Sequence, residues 1–289
     1  MSPAVRDLGL RFGLAVLITA LVAPFWGALF PDARFHRIVT RIFLGSVILC
    51  FALFRAPISQ WGRKTKTIGL CGPDRMARIG VGAVVSIVLL MGLLGVSWVT
   101  EGRAWRAESY DRPLLYQLGR ALMAGTAVAF VEEILCRGYL KNVLGGIASA
   151  AIYAGAHFFR PLGETAGAGG YDPLLVFKRF GELVEAWSLP QNYTLGFLSL
   201  FLFGLALNQF RERTGTLYFG IGIHAGLVFS IDLYRRFFVN GPRYDRWIDG
   251  DSRLHDGAVG TIALALLCLA AYFLPLPRIL TRGVDEPGV

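Results

Sequence analysis

Residues 122–140 read LMAGTAVAFVEEILCRGYL, an apolar run interrupted by two adjacent carboxylates and one guanidinium. Its length is that of a helix crossing a hydrocarbon core, about 20 residues. It lacks the polar–apolar alternation of a membrane strand, as does the run from Ile262 to Leu274. Comparable runs recur at 8–30, 38–58, 79–100, 116–144, 147–160, 193–210, 215–238 and 258–276. An all-α, polytopic membrane bundle of about eight transmembrane helices is therefore expected, forming a single integral membrane domain over 1–289 with its chemistry in 116–238. The fifth run is short for a crossing and is expected to be sheltered by its neighbours.

Composition agrees with this. The 289 residues are 54% hydrophobic and 17% charged, with a mean hydropathy of +0.52, whereas a soluble domain carries about 25% charge. The net charge of +9 would in a soluble protein invite a nucleic-acid partner. Here Lys and Arg gather in short loops between apolar runs, as membrane topology requires. No zinc-finger spacing or RNP-like aromatic block is present, so membrane lipid is the expected surrounding and nucleic acid is not a partner. Cys50, Cys71, Cys136 and Cys268 are scattered and make no disulfide framework. The first run continues through Leu29 without a small-residue cleavage site and reads as a retained helix.

An even number of runs puts both termini on one side, together with the loops near 55–78, 145 and 211–213. Lys and Arg divide almost evenly between the two sides. The dense loop with Arg55, Arg63, Lys64, Lys66, Arg75 and Arg78 against a lone Asp74 favours that side as cytoplasmic. The long connection 161–192 contains DPLLVFKRFGELVEAW, with Phe177, Phe180, Val184 and Trp187 at helical spacing and Lys178, Arg179, Glu182 and Glu185 opposite. An amphipathic helix in the membrane interface is expected there, either as a lid over an intramembrane site or packed on the protein's own rim.

Burying a carboxylate in hydrocarbon costs roughly 2.5–3.5 kcal/mol even on the lenient insertion scale. Glu132 and Glu133 lie side by side in the fourth run, and Arg137 follows Glu133 by four residues, the better spacing for pairing on a helix. A structural ion pair pinning two helices would account for these three alone. His157 in AIYAGAHFF and His224 in GIGIHAGLVF add imidazoles from two further apolar runs. Helix rise places Glu132, His157 and His224 at roughly the same depth, about 14–18 Å from one face.

A carboxylate beside imidazole can take a proton from water and deliver it to a leaving amine, while a second His or an amide donates to the developing oxyanion. Hydrolysis is the reading this supports. No GxSxG element is present, and Cys136 has no evident base. No cofactor is expected; Zn on a Glu/His/His set is a minority alternative, without an HExxH pair on one helix.

These residues resemble the CPBP family of intramembrane proteases, the CAAX-processing and bacteriocin-processing group that includes the eukaryotic type II CAAX prenyl endopeptidase. EEILCRG at 132–138 fits the family's EExxxR motif. Tyr153-Ala-Gly-Ala-His157 is similar to FxxxH with Tyr in place of Phe, and His224 lies in a segment like the family's last motif. FGLALNQFRERTGTLYFGIGIHA at 203–225 looks like the helix and loop before it. The resemblance implies a glutamic-type intramembrane endopeptidase in which Glu132 is the general base. It gives Glu133 and Arg137 supporting roles, lets His157 hold or activate water, and makes His224 part of the oxyanion site. The family usually has Asn four residues after that His, where this chain has Val228; Asn208, Ser230 or Asp232 would have to supply the missing donor. The resemblance further implies a membrane-associated peptide or protein substrate and a multi-pass protein of the bacterial inner (cell) membrane. Two other classes stay open: a non-catalytic binding or immunity protein on the same fold, and a proton-coupled transporter, for which no inverted repeat is visible.

Overall fold

The computed structural model describes residues 3–29, 35–53, 68–106, 113–157, 174, 195–250 and 256–281. The chain divides into two compact units, residues 1–61 with 155–192 and residues 62–154 with 193–289. The interfacial helix expected within 161–192 lies outside the described residues apart from Leu174, as do Arg55, Arg63, Lys64 and Lys66 of the basic loop.

In the first unit, α1 (Pro3–Leu29) packs on α2 (Phe35–Leu53). Ala20 and Ala23 meet Ile38 and Val39, with Ile42 against them. The small alanines let two apolar helices approach closely.

The second unit contains α3 (Arg75–Val99), α4 (Leu114–Leu144), most of α5 (Gly146–Ala156), then α6 (Leu195–Thr214), α7 (Tyr218–Phe237) and α8 (Ala258–Phe273). Proline and glycine set several boundaries. Pro113, with its fixed φ and no N–H to offer, immediately precedes α4. Gly145, at φ +85°, turns the chain from α4 into α5, a conformation costly to a residue with a Cβ. Pro275 follows the end of α8.

Each of the eight apolar runs corresponds to a helix. By length and composition, three described helices could cross a membrane: Val5–Gly27, Arg75–Val99 and Leu114–Leu144. The eight-span expectation is thus met in helices, and the spanning criterion by fewer. α5 and α8 have only 11 and 16 residues. α6 and α7 each have 20 but carry charge near their C-terminal ends, with Arg211 and Arg213 on one and Arg235 and Arg236 on the other.

α7 is the centre of its unit, packing against α3, α4 and α6 while α8 packs on α6. Its contact with α3 is a backbone approach. A Cβ at Gly82 would fall 2.7 Å from Ile223 N, and one at Gly222 would collide with the carbonyl oxygen of Ile79.

Two buried arginines tie the ends of this unit. Arg78, expected in the basic loop, lies inside α3 and is fully buried. Its Nη1 donates to Thr214 O at 3.1 Å and Thr216 Oγ1 at 3.2 Å, satisfying a carbonyl at the end of α6. At the other end, β1 (Arg103–Trp105) pairs antiparallel with β2 (Phe238–Asn240), a ribbon that the hydropathy pattern does not foretell. Arg103 there donates to Asn240 Oδ1, to Asp249 O at 3.2 Å and to Gly250 O at 2.6 Å. Its guanidinium carbon is 4.7 Å from the Tyr244 ring centroid and 5.4 Å from that of Tyr234.

Candidate active site

The carboxylate pair sits where α4 changes pitch. Residues Glu133–Leu140 form a π-helix, bracketed by α-helical Leu114–Glu132 and Lys141–Leu144. The wider i→i+5 ladder is uncommon and recurs at functional sites. Here the Lys141 amide donates to Cys136 O, which also accepts from the buried Ser149 hydroxyl at 2.7 Å. The distorted segment is thereby tied to α5.

Glu133 points inward and is 1% exposed. Its Oε1 lies 3.1 Å from Arg137 Nη1 and 2.9 Å from His224 Nδ1. Room for the carboxylate comes from α7, since a Cβ at Gly220 would lie 3.2 Å from Glu133 Oε2. Gly125, whose Cβ would sit 2.8 Å from Ala225 O, brings α4 against α7 just before this point. GIGIHAG is therefore bifunctional: Gly222 and Gly226 admit α3, and Gly220 admits Glu133.

Glu132 differs from its neighbour. Its side chain keeps 27% of its surface exposed, and its Oε2 lies 3.7 Å from His224 Nε2. His224 thus has one imidazole nitrogen against each glutamate. With Nδ1–H donating to Glu133, the ring is oriented by a partner that is itself held by Arg137. Phe203 from α6 closes the imidazole edge-on at 5.6 Å between centroids.

Tyr153, given no role of its own by the sequence, is also here. It is buried, with its hydroxyl 3.5 Å from His224 Nε2 and its ring 4.2 Å from the guanidinium carbon of Arg137. The only prior signal was the Tyr in a position that the resembled motif gives to Phe.

Asn208 and Asp232 face other partners. His157 is half-buried, one residue beyond the end of α5, and belongs to the first compact unit. Asn208 is buried on α6, but its Nδ2 donates to Gly146 O at 2.7 Å, tying that helix to the α4–α5 turn. Asp232 accepts from Arg120 at 2.8 Å and Arg236 at 3.2 Å. Val228 is half-buried one turn beyond His224, and Ser230 is buried. Cys136 is buried too, its backbone carbonyl rather than its thiol making the contact with Ser149.

In sum, α4, α5 and α7 bring together two carboxylates of unequal exposure, a guanidinium, a phenol and an imidazole within a largely apolar unit. Such a set can hold a proton, pass it between oxygen and nitrogen, and polarise a water molecule.

Residues 114–230 are Rce1-like: they match the model of the family described as type II CAAX prenyl endopeptidase Rce1-like. This agrees with the resemblance carried by the motifs: the matched stretch is similar to a CAAX-type intramembrane protease family. No curated protein and no solved structure matches the chain.

Proposed function

We propose that the chain is an intramembrane endopeptidase that hydrolyses a peptide bond of a membrane-associated substrate with water activated by Glu132. The observation that carries this reading is the asymmetry of the glutamates. Glu133 is buried against Arg137 and His224, whereas Glu132 keeps 27% of its side chain exposed while its Oε2, itself buried, lies 3.7 Å from the second nitrogen of the same imidazole.

In the proposed reaction Glu132 takes a proton from water as the oxygen attacks the scissile carbonyl carbon. The tetrahedral intermediate collapses with cleavage of the C–N bond, and the proton held on Glu132 passes to the departing amine. Oxygen and nitrogen balance without a covalent enzyme intermediate. His224, oriented through Glu133, faces the developing oxyanion with its Nε2 edge. A prenylated CaaX tail is one substrate of the right class; a membrane-anchored sorting tail or a secreted peptide is equally compatible with the chemistry.

Two partners of one buried carboxylate are also what a purely structural site would contain. The half-exposed Glu132 beside Nε2 favours hydrolysis, because a structural pair gains nothing from a second intramembrane carboxylate next to it. The test compares protein termini in the membrane and secreted proteomes of wild-type and Glu132→Gln cells. Loss of a defined set of new termini in the variant is expected, and identical termini would overturn the reading. Cleavage that survives a strong chelator would separate it from the Zn alternative.

A further inference from the structure

We propose that Tyr153 is a positioning residue of the hydrolytic site, holding Arg137 with its ring and the Nε2 edge of His224 with its hydroxyl; the inference rests on the endopeptidase reading.

Four contacts form a closed circuit. Arg137 Nη1 meets Glu133 Oε1 at 3.1 Å. Glu133 Oε1 meets His224 Nδ1 at 2.9 Å. The far nitrogen of that imidazole, Nε2, is 3.5 Å from the Tyr153 hydroxyl. The Tyr153 ring then returns to Arg137, whose guanidinium carbon is 4.2 Å from its centroid. Tyr153 is the one member on α5; the other three come from α4 and α7. It therefore links the circuit to a third helix, using both the apolar and the polar part of its side chain.

Each part has a separate physical task. The ring face attracts the buried guanidinium, which keeps Arg137 directed at Glu133. Burying a phenol costs free energy unless its hydroxyl has a polar neighbour, and Nε2 is such a neighbour. The hydroxyl can donate to Nε2 or accept from Nε2–H, according to the state of the ring, and in both cases it opposes rotation of the imidazole. The two rings meet edge to face at 87°. A 3.5 Å separation is long for a hydrogen bond, and catalytic contacts of this kind tighten when substrate binds.

Among the described residues, the titratable groups facing His224 are Glu132 and Glu133 from α4 and Tyr153 from α5, while α6 contributes Phe203. Glu133 fixes Nδ1. Without Tyr153, the direction of Nε2 toward Glu132 would depend on that single bond and on ring packing. An imidazole that swings by a few tenths of an ångström still folds, but it meets the transition state less often in the productive geometry.

Tyr153→Phe separates the two tasks, because it keeps the ring on Arg137 and removes only the hydroxyl. Purified full-length protein with 15N-labelled histidine is measured in micelles; with four His in the chain, His224→Gln suffices to assign the His224 signals. The expected result for Tyr153→Phe is a displaced His224 Nε2 resonance with an unchanged melting temperature. On an internally quenched peptide carrying a bond that wild type cleaves and Glu132→Gln does not, kcat falls by roughly 10- to 100-fold with KM unchanged. Tyr153→Leu, which also strips the ring from Arg137, lowers the melting temperature as well. An unmoved His224 resonance or an unchanged kcat in Tyr153→Phe overturns the proposal while the dependence on Glu132 stands. If every bond that wild type cleaves is cleaved equally by Glu132→Gln, so that no such peptide exists, the hydrolase reading is overturned instead, and the positioning role in catalysis falls with it.

Discussion

Arg103 and Arg137 are both buried arginines in the second unit, and their surroundings are opposite in kind. Arg103 meets backbone carbonyls and an amide oxygen, with tyrosine rings nearby. These acceptors do not change charge, so they hold β1, β2 and the turn at Gly250 in one geometry. Arg137 meets a carboxylate that bonds an imidazole, which faces a second carboxylate and a phenol. Every group downstream of it can gain or lose a proton. A buried cation among fixed dipoles is thus a fastener, and one at the head of a titratable chain is part of chemistry.

The contrast breaks most visibly at the carboxylates. Glu132→Gln is expected to lower cleavage by at least about 100-fold while leaving thermal unfolding in detergent as in wild type. A large fall in melting temperature would make Glu132 a fastener too. Next in size, Arg103→Ala is expected to cost about 3 kcal/mol of stability through orphaned carbonyls. Read as denaturant or thermal unfolding, it should leave the activity per folded molecule unchanged; lost catalysis at full stability would erase the distinction.

Gly222→Ala sharpens the comparison from the packing side. A methyl there meets the Ile79 backbone, and overpacking of this kind costs about 1–3 kcal/mol. Because α7 carries His224, both melting temperature and cleavage should fall, which neither earlier variant does. Smallest is Asp232→Asn: its partners Arg120 and Arg236 are partly exposed, and the expected loss is under about 1 kcal/mol. If that variant abolished cleavage, Asp232 would belong with the site despite its arginine partners.

Much of this was legible in the residues. The apolar runs became helices because length and hydropathy are sustained over many positions, and the Gly145 turn appears where two adjacent glycines stand. Glu132, Glu133, Arg137 and His224 were conspicuous because charge in an apolar run is costly. Other features had no local signal. The π-helix arises within a sequence whose apolar spacing is that of any helix, and the ribbon strands are three residues each, too short for a period of two to register. Arg78 belongs by sequence to a basic loop; its burial depends on where the α6 carbonyls end, a tertiary fact. Tyr153 was visible as a motif change, but its value lies in reaching two helices at once.

The π-helical turn also governs how the site answers to changes of chain length. The flanks of Glu133–Leu140 remain α-helical, so the looser ladder absorbs spare backbone between them. Deleting one residue within it would draw the ladder toward ordinary pitch and change the spacing of Glu133 from Arg137. Deleting one upstream, around Ala127, would turn the carboxylates by about 100° relative to the preceding helix. The neighbouring helix leaves room for the Glu133 carboxylate at Gly220, where a Cβ would lie 3.2 Å from its Oε2. Side chains around the pair can be exchanged one at a time, but the count of residues between Gly125 and Gly145 behaves as a fixed ruler.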